Sequence, residues 1–206
     1  MSIFEEFETF INTEGVGKVQ KSEVPVFAIQ EDLEIAPSME VQAAEIREVF
    51  LNMPELKYEN WTELGLDEKV TALNKLEQQV AEIEMRNPLP VTAENLGPTT
   101  RGAYVGTGLM MSENLLQDDS YAGYRQTLKT FLHEGRHAYQ YYNVYEKQVE
   151  GNTELAESWR INLQELKYDN GQRLIFKERG FQEYLTQPIE VDARVFSETV
   201  LKELGL

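Results

Sequence analysis

The chain contains no cysteine. A disulfide framework, thiolate metal sites, iron–sulfur clusters and a cysteine nucleophile are therefore excluded. Basic side chains are also scarce: 19 Lys and Arg stand against 36 Asp and Glu, a formal net charge of −17 over 206 residues. A surface that negative repels phosphate, which argues against nucleic acid and anionic membranes as partners. No apolar run approaches the ~18 residues that a membrane helix needs, and the mean hydropathy of −0.47 is that of a soluble protein. Basic residues are missing from the start too, where Met1-Ser2-Ile3-Phe4-Glu5-Glu6-Phe7 is acidic where a signal peptide would be basic. The expectation is a soluble, cytoplasmic protein, with export by a route without a signal peptide left open. Oligomeric state is not legible.

The length suits one domain, or a core with an appendage, and a core of that size forms without staples. Residues 1–37 are the least regular, with one short strand expected over Val24-Pro25-Val26-Phe27-Ala28-Ile29. Ser38 reads as the N-cap of a helix over 39–51, closed by Pro54. Asp67 reads as the cap of a helix over 68–86, in which Val70, Leu73, Leu76, Val80 and Ile83 recur at helical spacing. The glycine-rich run Gly102 to Ser112 predicts one or two strands. Beyond it the pattern is helical: 121–148, 153–168, a stretch after the Asn170-Gly171 turn, and 188–204 opened by Pro188. The fold class that follows is α+β, predominantly α-helical, with a small sheet.

Histidine is almost absent, and its placement is what carries chemistry. The two histidines form His133-Glu134-Gly135-Arg136-His137. Four residues make about one helical turn, so both imidazoles project from one face and can reach one ion. Glu134, one position on, is then a carboxylate beside the metal and not on it, placed to act as general base. Gly135 is unfavourable inside a helix, and close approach of another backbone or of substrate would be a reason for it. Arg136 faces away from the imidazole pair on a regular helix and pairs with a carboxylate.

A catalytic zinc takes three protein ligands plus water. With no further histidine and no cysteine, the third must be a carboxylate. Glu190 is the best candidate, because it opens a helix whose Ile189, Ala193 and Phe196 form an apolar stripe. The small Ala193, one turn on, would let that helix pack closely on the first. Asp192, Glu183 and the acids of 146–157 are its rivals. Asp192 could instead hold an imidazole N–H, although residues two apart on a helix point to different faces. Tyr139, Tyr141, Tyr142 and Tyr145 follow His137, and Tyr184 precedes Glu190. A phenol such as Tyr184 could stabilise an oxyanion, whereas helical packing accounts for such a cluster without chemistry. Zinc is inferred from ligand type; manganese, iron or cobalt would accept the same donors. The glycine pairs at 15–17 and 106–108 lack a nucleotide-binding context, and a di-iron bundle needs histidines on two helices.

His133-Glu134-x-x-His137 with a downstream glutamate resembles the gluzincin class of zinc metallopeptidases. Glu190-Val191-Asp192-Ala193-Arg194-Val195-Phe196 is similar to the Glu-x-x-Ala-x-x-Phe ligand helix of small bacterial members such as the ImmA/IrrE-type peptidases. A longer likeness over 58–200 runs through Trp61 to Pro90, Gly102-Ala103-Tyr104, Thr130 to Gln140 and Gln187 to Ala193. These stretches resemble bacterial metallopeptidase-like domains, some carried on secreted polymorphic toxins. The resemblance implies His133, His137 and Glu190 as ligands of Zn2+ and Glu134 as general base. It also implies a zincin-like fold, with an edge strand within 103–111 that aligns a peptide substrate. The long helical insert between His137 and Glu190 departs from the ImmA pattern. Residues 1–57 match no family, so the expected organisation is an N-terminal segment of unknown role, 1–57, and a metallopeptidase domain, 58–206. The leading expectation is a zinc-dependent peptidase acting on a peptide or protein. The alternative is a catalytically inactive zincin-like binding or structural module, a phage or effector component; the intact Glu134 argues against it.

Overall fold

The computed structural model describes residues 34–165 and 184–206. The strand expected at 24–29, the helix after Asn170-Gly171 and Glu183 lie outside the described residues. The first element is helix α1, Met39–Leu51. Its N-cap is Ser38, as the sequence implies, but the serine hydroxyl bonds the Glu40 carboxylate at 3.0 Å instead of a backbone N–H. A 3₁₀ turn at Pro54–Leu56 and the one-turn helix α2, Tyr58–Trp61, lead to α3, Leu66–Ile83.

Helix α3 starts and stops earlier than expected. Gly65, not Asp67, is its N-cap, and the Glu68 carboxylate reaches back to accept the Gly65 N–H at 2.8 Å. It ends at Ile83 because Met85 takes a left-handed conformation, φ 56°. The Arg86 N–H then closes on the Ala81 carbonyl at 2.9 Å. A non-glycine residue there costs about 1 kcal/mol, and the burial of Glu84 and Arg86 that it permits is what the turn achieves.

Three strands form one small mixed sheet: β1, Val91–Glu94; β2, Gly102–Tyr104; and β3, Leu109–Ser112. Their spatial order is β1-β3-β2, with β1 parallel and β2 antiparallel to β3. The run Gly102 to Ser112, expected to hold one or two strands, holds two, of which β2 lies at an edge and β3 at the centre. The one-turn helix α4, Glu113–Leu116, leads into α5, Tyr121–Tyr145, whose N-cap Ser120 hydroxyl accepts the Gly123 N–H at 3.0 Å. Helix α6, Thr153–Arg160, is capped by Asn152 and runs into a π-type turn at Ile161–Glu165. The last helix, α7, spans Pro188–Glu203 with proline in its first turn.

Helix α5 is the spine. It packs on α7, on the sheet and on α6, while α1 packs on α3 and α7. One apolar cluster joins Ile46, Trp61, Leu73, Leu109, Phe131, Phe196 and Val200; a second joins Tyr139, Trp159 and Ile189. Both draw on α5 and α7, so the contact between these helices is fixed on two sides. Among the described residues no helix is long and apolar enough to cross a membrane. The fold class is α+β, predominantly α-helical, with a small sheet.

Candidate metal centre

Three side chains from two helices converge. The His133 and His137 Nε2 atoms stand 3.2 Å apart. The Glu190 carboxylate presents one oxygen to each, Oε2 at 3.4 Å from His133 and Oε1 at 3.4 Å from His137. Among the described residues, this is the group of histidine and acidic side chains whose ligand atoms gather within metal reach. Zinc bonds of about 2.0–2.1 Å in a tetrahedron place neighbouring ligand atoms about 3.3 Å apart. The observed separations match that edge length, so the donor set fits the ion in chemistry and spacing.

Burial and charge support the same conclusion. The side chain of Glu190 is 1 % exposed and that of His133 17 %. Burial pushes the Glu190 carboxyl up, but the two imidazoles more than offset this and hold it well below the usual carboxylate range. Glu190 also lies in the first turn of α7, where the helix dipole favours an anion. For His137 burial lowers the pKa, and Glu190, Glu134 and Gln140 outweigh it so that the net shift is upward. A cluster that draws in positive charge this way is what a divalent cation would occupy.

Glu134 sits where α5 meets β2. Its Oε2 accepts the Tyr104 backbone N–H at 2.8 Å. The contact is tight because Gly102 has no side chain: a Cβ there would lie 2.5 Å from Thr130 Cγ2 and 3.3 Å from Glu134 Cγ. Bonds from the Ser112 N–H to the Arg101 carbonyl and from the Val105 N–H to the Gly108 carbonyl bracket β2. Strand alternation then turns the polar groups of Gly102 and Tyr104 away from β3, towards the outer edge. The edge of the sheet and the proposed base are joined directly.

Behind the imidazoles lies a buried ionic layer. Arg136 donates to Asp192 through Nε at 2.8 Å and Nη2 at 3.2 Å, and its guanidinium stacks over Tyr139, Trp159 and Phe196 at 4.4, 5.3 and 4.8 Å. Arg86 pairs with Glu77 at 2.5 and 3.1 Å and with Glu84 at 2.7 Å. Burial pushes the Glu84 carboxyl up despite both guanidiniums nearby. What lies nearest Gly135 is this side-chain ion pair and not a backbone: a Cβ would stand 3.6 Å from Arg86 Nη2 and 4.0 Å from Glu77 Oε2, ordinary contact distances.

The structure thus brings His133, His137, Glu190 and Glu134 together, and it gives Arg136 a carboxylate partner. Asp192 stands one residue removed from the imidazole, because Gln140 lies between them, its Oε1 2.8 Å from His137 Nδ1 and its Nε2 donating to Asp192 at 2.7 Å. Of the rival acids, Glu146, Glu154 and Glu157 are exposed, and Glu150 accepts from the Tyr139 hydroxyl at 3.2 Å. Tyr141 packs between Tyr104 and Tyr145 and Tyr139 packs against Trp159, while Tyr145 itself is exposed. Tyr184 is half-buried at a helical position ahead of α7. Sequence reasoning missed Gln140 and the Tyr104 N–H. Gln140 had a signal, a polar residue three positions beyond His137 on the same stripe of α5; the backbone donor had none. Comparison with protein-family models, with curated proteins and with solved structures returns no match to this chain.

Proposed function

We propose that the chain is a zinc-dependent peptidase of the gluzincin kind, acting on a peptide or protein. The observation that carries it is the His133–His137–Glu190 triangle with Glu134 held beside it on the same helix turn. His133, His137 and Glu190 would hold the ion. Bound there, zinc supplies Lewis acidity, which polarises a carbonyl and makes water acidic near neutral pH.

The remaining steps belong to the protein. Glu134 has Oε2 occupied by the Tyr104 N–H, which leaves Oε1 to accept a proton from water and return it to the leaving amine. The Tyr104 N–H fixes the carboxylate's rotamer, so no orientation is lost when the proton moves. With the Tyr104 N–H taken by Glu134, an extended peptide would add to β2 through the remaining outward-facing polar groups of Gly102 and Tyr104. The excess of acidic side chains favours neutral or basic substrates.

Elemental analysis of untagged protein beside His137→Ala and Glu190→Ala tests the reading. About one zinc per chain, lost in both variants, is the expected result. Zinc lost only in His137→Ala moves the third ligand elsewhere. No zinc in wild type after incubation with the metal overturns the peptidase and leaves a binding module.

A further inference from the structure

We infer that Gln140 is a positioning residue that sets which nitrogen of His137 carries the proton, and that Asp192 and Arg136 set Gln140 in turn. The inference rests on the metal reading for its purpose, but the hydrogen-bond geometry stands independently of it. Gln140 is fully buried on α5, three residues beyond His137. Its Nε2 lies 2.9 Å from the Ile189 carbonyl oxygen and 2.7 Å from Asp192 Oδ2, both on α7. Its Oε1 lies 2.8 Å from His137 Nδ1.

The assignment follows from donors and acceptors alone. A backbone carbonyl can only accept. Both oxygens of Asp192 accept from the Arg136 guanidinium, so it too stands there as an acceptor. Two acceptors on one side of the amide admit only its NH₂ group there. The flipped amide would set oxygen against oxygen twice in a buried site. Oε1 therefore faces His137. Because Oε1 accepts only, His137 must donate from Nδ1, and the lone pair stands on Nε2. Nε2 is the nitrogen that faces His133 and Glu190.

The chain of constraint continues outward. Arg136 cannot swing away, since its Nη1 donates to Gln42 Oε1 at 3.1 Å and three aromatic rings enclose it. Gln42 is itself fixed by donating to the Pro37 carbonyl at 2.8 Å. Asp192 also shares α7 with Glu190, so one network sets the His137 tautomer and the register between the ligand-bearing helices. A histidine in solution favours the proton on Nε2, which would block the ligand nitrogen; here the fold has reversed that choice in advance.

The chain's two histidines make the test clean. Protein labelled with 15N-histidine, without metal and at a pH where imidazoles are neutral, would be examined by long-range 15N–1H NMR, with His133→Ala to assign the signals. His137 as the Nδ1–H form in wild type is the expected result; the Nε2–H form overturns the inference. In Gln140→Leu the tautomer preference should vanish, and chelator competition with zinc alone should show affinity about 10–100-fold weaker. Gln140→Met, unbranched and of similar length but without an acceptor for Nδ1, should lose the Nδ1–H preference as well, which a merely structural role would not require. Folded Gln140→Leu with unchanged tautomer and affinity overturns the inference; if that variant does not fold, the wild-type tautomer and Gln140→Met decide it. Wild type that takes up no zinc yet shows the Nδ1–H form removes the peptidase and leaves Gln140's role standing.

Discussion

At the scale of the residue, the centre depends on side chains that differ in what their loss would do. Glu134 stands beside the triangle and outside it, its carboxylate held by the Tyr104 N–H. Glu134→Gln should therefore keep about one zinc per chain while peptide hydrolysis falls by about 10²–10⁴-fold. An unchanged rate, read with a fluorogenic peptide cleaved by wild type, would remove it as the base. Arg86 is different: it compensates two carboxylates that are 1 % and 0 % exposed. Arg86→Met leaves Glu77 and Glu84 buried without their partner, and urea unfolding should show a loss of about 3–5 kcal/mol. Part of this cluster was legible in the sequence, since two histidines four apart on a helix stand on one face. Glu190 was legible through the apolar stripe of Ile189, Ala193 and Phe196 around it. Gln140 announces its place on the His137 stripe of α5 but not its role, which is set by Ile189 and Asp192 on another helix, a meeting that no local pattern encodes.

At the scale of the element, helix α1 and helix α7 fall where their caps and prolines predict, because those signals are local. Helix α3 ends early because Met85 adopts a left-handed turn that no glycine announces. Strand β1 escaped notice for a related reason: four residues carry little alternation, and its parallel pairing with β3 is a long-range contact. The join between β2 and α5 is the element contact that matters for chemistry, and Gly102 controls it. Gly102→Ala puts a methyl group 2.5 Å from Thr130 Cγ2 and 3.1 Å from the Met110 carbonyl. Overpacking of that kind costs about 1–3 kcal/mol. It should also lift the Tyr104 N–H off Glu134, so hydrolysis should fall while zinc content stays unchanged. Adding Thr130→Ser removes the nearer clash and should restore part of both stability and rate. A Gly102→Ala protein with full activity would show that the strand edge does not hold the base.

At the scale of the whole molecule, the ligands stand on two helices far apart in sequence, α5 and α7, and each apolar cluster also takes residues from both. An ion held by His133, His137 and Glu190 would thus tie together the two elements on which the core depends. It binds the folded chain and finds no assembled site in the unfolded one, so it must add stability by mass action. At free zinc about 1,000 times the dissociation constant, that addition is about 4 kcal/mol. For a chain of this size it corresponds to a melting temperature on the order of 10 °C higher. Chelation should remove the increment from wild type and from Glu134→Gln alike, because Glu134 is not a ligand. His137→Ala and Glu190→Ala should melt at the same temperature with and without zinc. A zinc-induced rise that persists in Glu190→Ala would mean that the helices are tied by some other carboxylate, and the link between the metal and the α5–α7 contact would fail.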